Sequence, residues 1–191
     1  NLDTSNIRCT YSLNFVEDST NTEHTRTVDM YLFLGNQINL FVSKNKYRSD
    51  TIMRKIKNSS QLQELMLDRN RPFAKFFYLI YKNYPEGKLT FTEHTLDGTF
   101  IFEEDLNLFN WQLSGDTATM GDYKVQKATC DFGGRCWIAW FCPEIPYSEG
   151  PYKFNGLPGL IVKVYDTKNH YVFELKTIDK LQKDVIIDLM E

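Results

Sequence analysis

The sequence predicts a mainly β protein of the α+β class: a curved, mostly antiparallel sheet or half-barrel of about ten strands, with one short helical insert near residues 49–69. Two observations predict this class. Polar and apolar residues alternate at period two in most segments, as in half-buried strands. Turn-forming pairs such as Gly35-Asn36 and Asp97-Gly98 separate these segments. Because a sheet of this size must curl or split in two, we expect it to be curved.

The composition indicates a single globular domain over residues 1–191. Apolar residues make up 42% and charged residues 25% of the chain, the usual proportions of globular proteins. The net charge of −3, with both signs interspersed, gives no basis for binding nucleic acid or an anionic membrane. The sequence has no apolar run of about 18 residues, so no integral membrane span is expected.

Each predicted strand is a short run bounded by turn signals. The first, at residues 7–16, places Ile7, Leu13 and Phe15 on one side. The polar segment 17–25 after it is predicted as a turn. The other strands are predicted at residues 28–34, 38–42, 76–82, 88–95, 99–103, 110–113, 123–130, 135–141, 160–165 and 170–178, with an edge strand at 185–189.

The helical insert interrupts this series of strands. Ser49 is a suitable N-cap for a helix that carries Ile52 and Ile56 on one face. A second short helix is predicted to begin at Ser60, because Ser60 and Gln63 have the spacing of a capping box.

The hexapeptide at residues 156–161 forms an apolar corner before the last hairpin. Pro158 and Gly159 stand at the second and third positions of a predicted type II turn, and Gly156 precedes it as a further structural turn residue. Leucines flank the turn, although turns are normally polar. The corner is therefore either buried, where it seats the next strand, or an exposed apolar loop that contacts a ligand or a partner.

The chain has four cysteines, which permit three pairings. Their spacing lacks the close cysteine pairs of zinc sites, so no metal or other cofactor is predicted. A two-residue loop at Gly133-Gly134 would pair Cys130 with Trp137, whereas a three-residue loop would set Cys130 opposite Cys136. Only the second register allows a Cys130–Cys136 disulfide, and both registers stay open.

Aromatic residues crowd the second half of the chain, and they are the candidate ligand-binding residues. Trp137 and Phe141 share one side of a strand, whereas Trp140 faces the other side. These rings either pack as core or line a groove, which would be a natural ligand site because pockets are mostly apolar. The candidates are Trp111, Trp137, Trp140, Tyr147, Tyr152 and Phe154.

Arg135 completes the candidate site. Its guanidinium either binds a ligand carboxylate or forms an ion pair with Asp131 or Glu144 that fixes the turn. Lys127 is either a solvated edge lysine or a second arm of the same anion site.

Enzymatic function is not favoured, and no catalytic residue is assigned. The histidines occupy predicted loop or strand-edge positions, and the common hydrolase, metalloprotease and phosphate-loop motifs do not occur. A hydrolase or thiol enzyme would need a nucleophile within about 3.5 Å of a base in a cleft.

From Trp111 onward the sequence resembles the GLPGLI family, which is named for the hexapeptide 156–161. Matching segments lie in the same order at residues 111–113, 123–129, 132–135, 139–141, 144–146 and 150–154. The resemblance implies an exported envelope protein of Gram-negative bacteria, periplasmic or outer-membrane-associated after removal of a signal peptide. It implies no activity that can be transferred to this chain.

These observations predict a non-enzymatic envelope protein that binds an apolar or peptide-like ligand on an aromatic face of a curved sheet. The alternative is an interaction module of an envelope assembly that uses the loop 146–159 to contact another envelope protein. This alternative requires Tyr147, Tyr152 or Leu157 to be exposed.

Overall fold

A computed structural model describes residues 1–18, 21–95 and 97–189 of the chain. Within these residues, eleven strands form one antiparallel sheet that is accompanied by two short helices and is not closed into a barrel. The predicted fold class is confirmed. The elements are β1 (Asp3–Asp18), β2 (Asn21–Gly35), β3 (Asn39–Ser43), α1 (Lys44–Met53), α2 (Ser59–Leu67), β4 (Tyr78–Lys82), β5 (Lys88–Thr95), β6 (Gly98–Asp105), β7 (Gln112–Met120), β8 (Tyr123–Phe132), β9 (Arg135–Cys142), β10 (Leu160–Asp166) and β11 (Tyr171–Ile187).

The strand order explains why the sheet is curved. It runs β6-β5-β4-β3-β2-β1-β11-β10-β9-β8-β7, so β6 and β7, which are neighbours in sequence, are the two opposite edges. Strands lie about 4.8 Å apart, so a flat sheet of this size would separate its edges by about 48 Å. The connection 106–111 between the two edges spans at most about 25 Å. The sheet therefore has to curl until its edges approach each other.

The main core fills the concave side of the curled sheet. Along β9, Trp137, Ala139 and Phe141 point inward and are buried, whereas Cys136 and Trp140 point outward. This alternation follows from the period of two along a strand. A smaller core lies on the convex side, where helix α1 packs against the central strands.

Both helices begin earlier than predicted. Ser43 caps α1 by accepting a hydrogen bond from the Lys46 backbone N–H at 3.2 Å. Asn58 caps α2 in the same way, at 2.9 Å from the backbone N–H of Gln61. The predicted caps at Ser49 and Ser60 are wrong, since β3 runs directly into α1 and Asn58 has already satisfied the first turn of α2. Neither helix is long and apolar enough to cross a membrane.

Several strands are longer than their sequence patterns indicate. β1 and β2 continue into the segment 17–25 that is predicted as a turn, and its residues 19 and 20 lie outside the described residues. β11 also runs on, and Val185 pairs with Ser5 of β1. The predicted strand 185–189 is therefore the end of an interior strand and not an edge. Gly98 already pairs with Thr95, and Leu96 between them lies outside the described residues.

Candidate functional site

The loop 143–159, between β9 and β10, lies over the concave face of the sheet and fills much of it. Phe154 and Leu157 are 0% and 1% exposed, and Leu160 and Ile161 at the start of β10 are also buried. The apolar corner is thus a buried one that seats β10 on the core. The loop covers one part of the concave face and forms a wall of the space that remains.

The turn within this corner differs from the predicted type II turn. The Gly159 N–H donates to the Leu157 carbonyl at 2.8 Å, which makes a tighter turn centred on Pro158. The Leu160 N–H donates instead to the carbonyl of Ile145, across the loop, at 3.1 Å. Gly159 has φ of +150°, and a Cβ there would lie 2.2 Å from the carbonyl oxygen of Cys142. Only glycine allows the corner to approach β9 this closely.

Lys82 of β4 holds the loop from the opposite wall of the sheet. Its side chain is 0% exposed, and its ammonium donates to Glu149 Oε2 at 2.9 Å and to the carbonyls of Gly150 and Phe154 at 2.7 Å each. Asn39 donates to the other Glu149 oxygen at 2.8 Å. Burial lowers the pKa of Lys82, and the negative charge of Glu149 offsets part of this effect.

Lys153 fastens the same loop to the sheet edge. Its ammonium forms an ion pair with Glu104 of β6 and lies 4.8 Å from the ring centre of Phe102 and 5.7 Å from that of Phe91. Glu104 belongs to an acidic run at residues 103–105, and its carboxylate anchors the loop to β6. Two lysines therefore keep the wall of the concave space in place.

An open cavity of about 300 Å³ remains at one rim of the concave face, and we call it the aromatic groove. It lies where the β8–β9 hairpin, the start of β4 and the start of β11 meet. Its lining is mostly aromatic, with one charged side chain. The lining residues are Leu13, Phe76, Tyr78, Phe132, Gly133, Arg135, Trp137, Tyr152, Tyr171 and Phe173.

Packed rings give the aromatic groove rigid walls. Tyr152 stacks on Phe173 with ring centres 6.5 Å apart and meets Tyr78 edge-on at 6.0 Å. Trp137 meets the buried ring of Phe154 edge-on at 4.7 Å, and its indole N–H donates to the Phe132 carbonyl at 3.0 Å. Because each ring is held by another ring or by a hydrogen bond, the groove exists before any ligand enters it.

Three of the lining residues are tyrosines, each with a hydroxyl group. Within the described part of the chain, no protein group hydrogen-bonds the hydroxyls of Tyr78, Tyr152 or Tyr171. Burial raises the pKa of Tyr152 to about 12, with a further contribution from Glu104, and burial also raises the pKa of Tyr78 far above its ordinary value. Like ordinary tyrosines, both side chains are protonated at neutral pH, and their hydroxyls can donate to a ligand.

Arg135 sits in the groove lining, held by Asp166. Its Nη1 donates to Asp166 Oδ2 at 2.8 Å and to His170 Nδ1 at 3.3 Å, and its Cζ lies 5.0 Å from the ring centre of Tyr171. Asp166 is 1% exposed, and its other oxygen accepts from the backbone N–H of Tyr171 at 2.8 Å. The predicted partners of Arg135 are wrong. The reason is that Asp166, at the end of β10, lies beside Trp137 in the sheet.

The predicted ligand-binding residues fall into three groups. Arg135, Trp137 and Tyr152 line the aromatic groove, and Phe154 supports it from below. Trp111 is half-buried against the main core, and its indole N–H donates to the Asn155 carbonyl at 2.8 Å. Two predicted residues lie elsewhere: Trp140 on the outer face and Tyr147 near the other rim.

Sequence reasoning missed the groove residues that come from distant parts of the chain. Leu13 could have been predicted, since the alternation along its strand places it on the inner side. Phe76, Tyr78, Tyr171 and Phe173 have no local signal that separates them from ordinary core residues.

The register of the β8–β9 hairpin determines whether Cys130 and Cys136 can form a disulfide. Phe132 pairs with Arg135 and Cys130 with Trp137, so the loop has two residues, both with positive φ. Cys130 points into the core and Cys136 is exposed on the opposite face; all four cysteines lie in the described ranges and are free. Of the two registers left open, the structure has the one that allows no Cys130–Cys136 disulfide, because it places the two side chains on opposite faces.

Other predicted chemistry lies away from the groove. Lys127 is opposite Trp140 on the outer face and pairs with Asp116 at 3.1 Å, so it forms no anion site with Arg135. His94 Nδ1 lies 2.8 Å from Thr99 Oγ1, but this pair belongs to the β5–β6 hairpin. Within residues 1–18, 21–95 and 97–189, no three His, Cys, Asp or Glu side chains are grouped as metal ligands.

A comparison with protein families matches the part of the chain that contains β9 and the loop 143–159. Residues 135–163 match the model of a family described as a protein of unknown function, Porph_ging. The matched segment comprises β9, the loop 143–159 and the first residues of β10. The chain is similar to that family over this segment, and the resemblance to the GLPGLI family stays an expectation. No curated protein matches the chain.

Solved structures share the fold over nearly the whole chain. A structure of PNGF-II in space group C2 aligns with 95% of this chain at a TM-score of 0.62 and 13% identity. A second structure of PNGF-II, in space group P21, aligns with 95% of this chain at a TM-score of 0.60 and 12% identity. The chain corresponds to only 28% and 29% of the length of those two structures. At this level of identity the likeness concerns the fold.

Proposed function

We propose that this protein is a non-enzymatic envelope protein that binds a small apolar ligand in the aromatic groove. One observation carries the proposal: a rigid cavity of about 300 Å³ is lined by aromatic rings, and the hydroxyls at Tyr78, Tyr152 and Tyr171 have no protein partner among the described residues. Concave apolar sites with a few polar groups are the usual form of small-molecule sites.

The size of the groove limits the ligand. A water molecule takes about 30 Å³ of liquid, so the groove holds roughly ten groups of that size. A ligand of about ten non-hydrogen atoms that gains about 0.6 kcal/mol per atom would bind with about −6 kcal/mol, or a dissociation constant of tens of micromolar. We therefore expect a small apolar molecule or the end of an extended peptide.

The envelope location is part of this proposal. It is supported by the ordered GLPGLI-like segments between Trp111 and Ile161, which overlap the segment 135–163 matched by the family model. Antibody detection in separated cytoplasmic, periplasmic and outer-membrane fractions of the source cells tests it. Recovery with the cytoplasmic marker alone would refute the location and leave the groove proposal standing.

Calorimetric titration with decanol, a neutral apolar probe, tests the groove. We expect saturable binding of one decanol per chain. Tyr152→Ala removes a wall ring and should weaken binding about tenfold, whereas Tyr147→Ala alters a half-buried tyrosine of the same loop near the other rim and should leave binding unchanged. Thermal unfolding of each variant shows that it is folded. No binding by the native protein, or equal weakening by both variants, would refute the proposal.

The alternative of an interaction module based on the loop 146–159 is less favoured. Leu157 is buried and both Tyr147 and Tyr152 are half-buried. Moreover, Lys82 and Lys153 hold the loop against the sheet. A loop whose side chains point into the core leaves little surface for a partner protein.

A further inference from the structure

Some N–H groups of the Arg135 guanidinium have no protein acceptor among the described residues. A guanidinium carries five N–H groups and no acceptor. The hydrogen bonds of Arg135 to Asp166 and His170 both start from Nη1. Among the described residues, no protein acceptor is bound to Nε or Nη2. These two nitrogens form one edge of the guanidinium, and this edge matches the two oxygens of a carboxylate.

Asp166 is a positioning residue for this edge. Its carboxylate is 1% exposed and is fixed by the Tyr171 backbone N–H at 2.8 Å. It holds Nη1 at 2.8 Å, while the ring of Tyr171 supports the guanidinium plane at 5.0 Å. The side chain of Arg135 is nevertheless 34% exposed. The protein contacts at Nη1 thus orient the guanidinium, and the Nε/Nη2 edge stays free of protein acceptors among the described residues.

The aromatic groove is a mostly apolar cavity with Arg135 in its lining. Arg135 is its only charged lining residue among those described, so a ligand anion meets no carboxylate within the lining. Tyr171, whose ring supports the guanidinium, also lines the cavity and carries a hydroxyl with no protein partner among the described residues. Hydrogen bonds from charged donors to carboxylates are about twice as strong as those between neutral groups.

We propose that the natural ligand is an apolar monocarboxylate, bound with its carboxylate on the Nε/Nη2 edge of Arg135 and its apolar part between the groove rings. This inference rests on the proposed function of the groove. Two sources supply this chemistry: a free fatty or aryl acid, and the C-terminal residue of an apolar peptide. Both present a carboxylate at the end of an apolar body that occupies roughly ten water-sized groups.

Matched ligand pairs test the carboxylate separately from the groove. Decanoate is compared with decanol, and an acetylated Ala-Phe dipeptide with its C-terminal amide, by calorimetric titration of the native protein at pH 7. We expect the acid of at least one pair to bind about tenfold or more tightly than its neutral partner, because hydrogen bonds to a charged group contribute more than neutral ones. The pair with the larger preference identifies the source.

Each outcome has a distinct meaning. Equal binding of acid and neutral partner in both pairs would overturn the carboxylate inference and leave the groove proposal intact. Absence of binding by every ligand would overturn the groove proposal itself. A preference that survives unchanged in Arg135→Lys would also overturn the inference.

Arg135→Lys is the informative variant, because lysine keeps a cation beside Asp166 but lacks the two-nitrogen edge. We expect its preference for the acid to fall to about threefold or less. Lys127→Met removes a cation from the outer face, where it pairs with Asp116, and should leave the preference unchanged. Should Arg135→Lys unfold, the double variant Arg135→Met/Asp166→Asn removes both charges together and makes the same comparison.

Discussion

Replacing Lys82 by methionine tests whether the loop 143–159 is held on the sheet by a buried cation. Methionine retains most of the apolar stem and removes the ammonium. Three contacts are lost together: the ion pair with Glu149 at 2.9 Å and the hydrogen bonds to the carbonyls of Gly150 and Phe154 at 2.7 Å each.

The structure sets the expected magnitude. Removing one partner of a buried ion pair typically costs 3–5 kcal/mol, because the other charge stays buried. Glu149 is 14% exposed and keeps its hydrogen bond from Asn39, which limits this cost. Each of the two carbonyls adds about 1 kcal/mol or more if it is left unpaired, while the desolvation of the ammonium is no longer needed. We expect a net loss of about 4 kcal/mol, or a Tm lower by about 8–16 °C.

Urea unfolding, followed by far-UV circular dichroism and tryptophan fluorescence, measures this loss. Lys88→Met is the matched control, since Lys88 lies across the same turn and pairs with Asp105 at 2.6 Å, but in solvent. Its unfolding midpoint should not change measurably. The double variant Lys82→Met/Glu149→Gln should cost less than the sum of the two single changes, because both act on one ion pair.

A loss below about 1 kcal/mol in Lys82→Met, the range of exposed ion pairs, would show that the buried ion pair does not hold the loop. Additive effects of the two single changes would show the same, since a shared buried pair must couple.

Three further results are expected. Gly159→Ala should lower the free energy of unfolding in urea by more than about 3 kcal/mol, because φ is +150° and the added Cβ meets a backbone carbonyl at 2.2 Å. Gly156→Ala, at φ +88° in open space, should lower it by only about 1–2 kcal/mol. Equal losses would contradict the close approach of Gly159 to β9. Burial alone would raise the pKa of Asp3, but hydrogen bonds from backbone N–H groups lower it from 3.8 to about 2. Since the folded pKa lies below the unfolded one, this carboxylate stabilises the fold above about pH 4; Asp3→Asn should cost about 1 kcal/mol at pH 7, after allowance for solvent screening, and the difference should vanish as the pH falls toward 2. A constant difference across that range would exclude this linkage. A thiol reagent at pH 8 should label exposed Cys136 rapidly and Cys130 slowly, because burial raises the pKa of Cys130 to about 12; labelling of both at the same rate would argue against the hairpin register.

The sequence was sufficient for the sheet and insufficient for the site. Period-two alternation is a local property, so the strand pattern showed that Trp137 and Phe141 share one side, but it did not show that this side faces the core. The partner of Arg135 was not readable in this way. Asp166 lies 31 residues away, and only the packing of β10 beside β9 brings the two together.

The groove residues show the same limit. Tyr78 belongs to β4 and Tyr152 to the loop 143–159, and their rings meet only because the sheet curls and the loop lies over it. The hairpin register depended on one residue in a glycine loop, and both registers agreed with the sequence. Local patterns determine which face a side chain takes, while strand order and loop placement determine which faces meet.

The connection 106–111 can be regarded as a chord that closes an arc. Eleven strands set an arc length of about 48 Å, and a connection of at most about 25 Å sets how far apart its ends can stand. The connection therefore sets an upper limit on the distance between the two edges, although it contributes no strand to the sheet. Residues inserted there would let the arc open and enlarge the interior, and residues deleted would tighten it. The length of this one short connection therefore limits how much space the curled sheet can enclose.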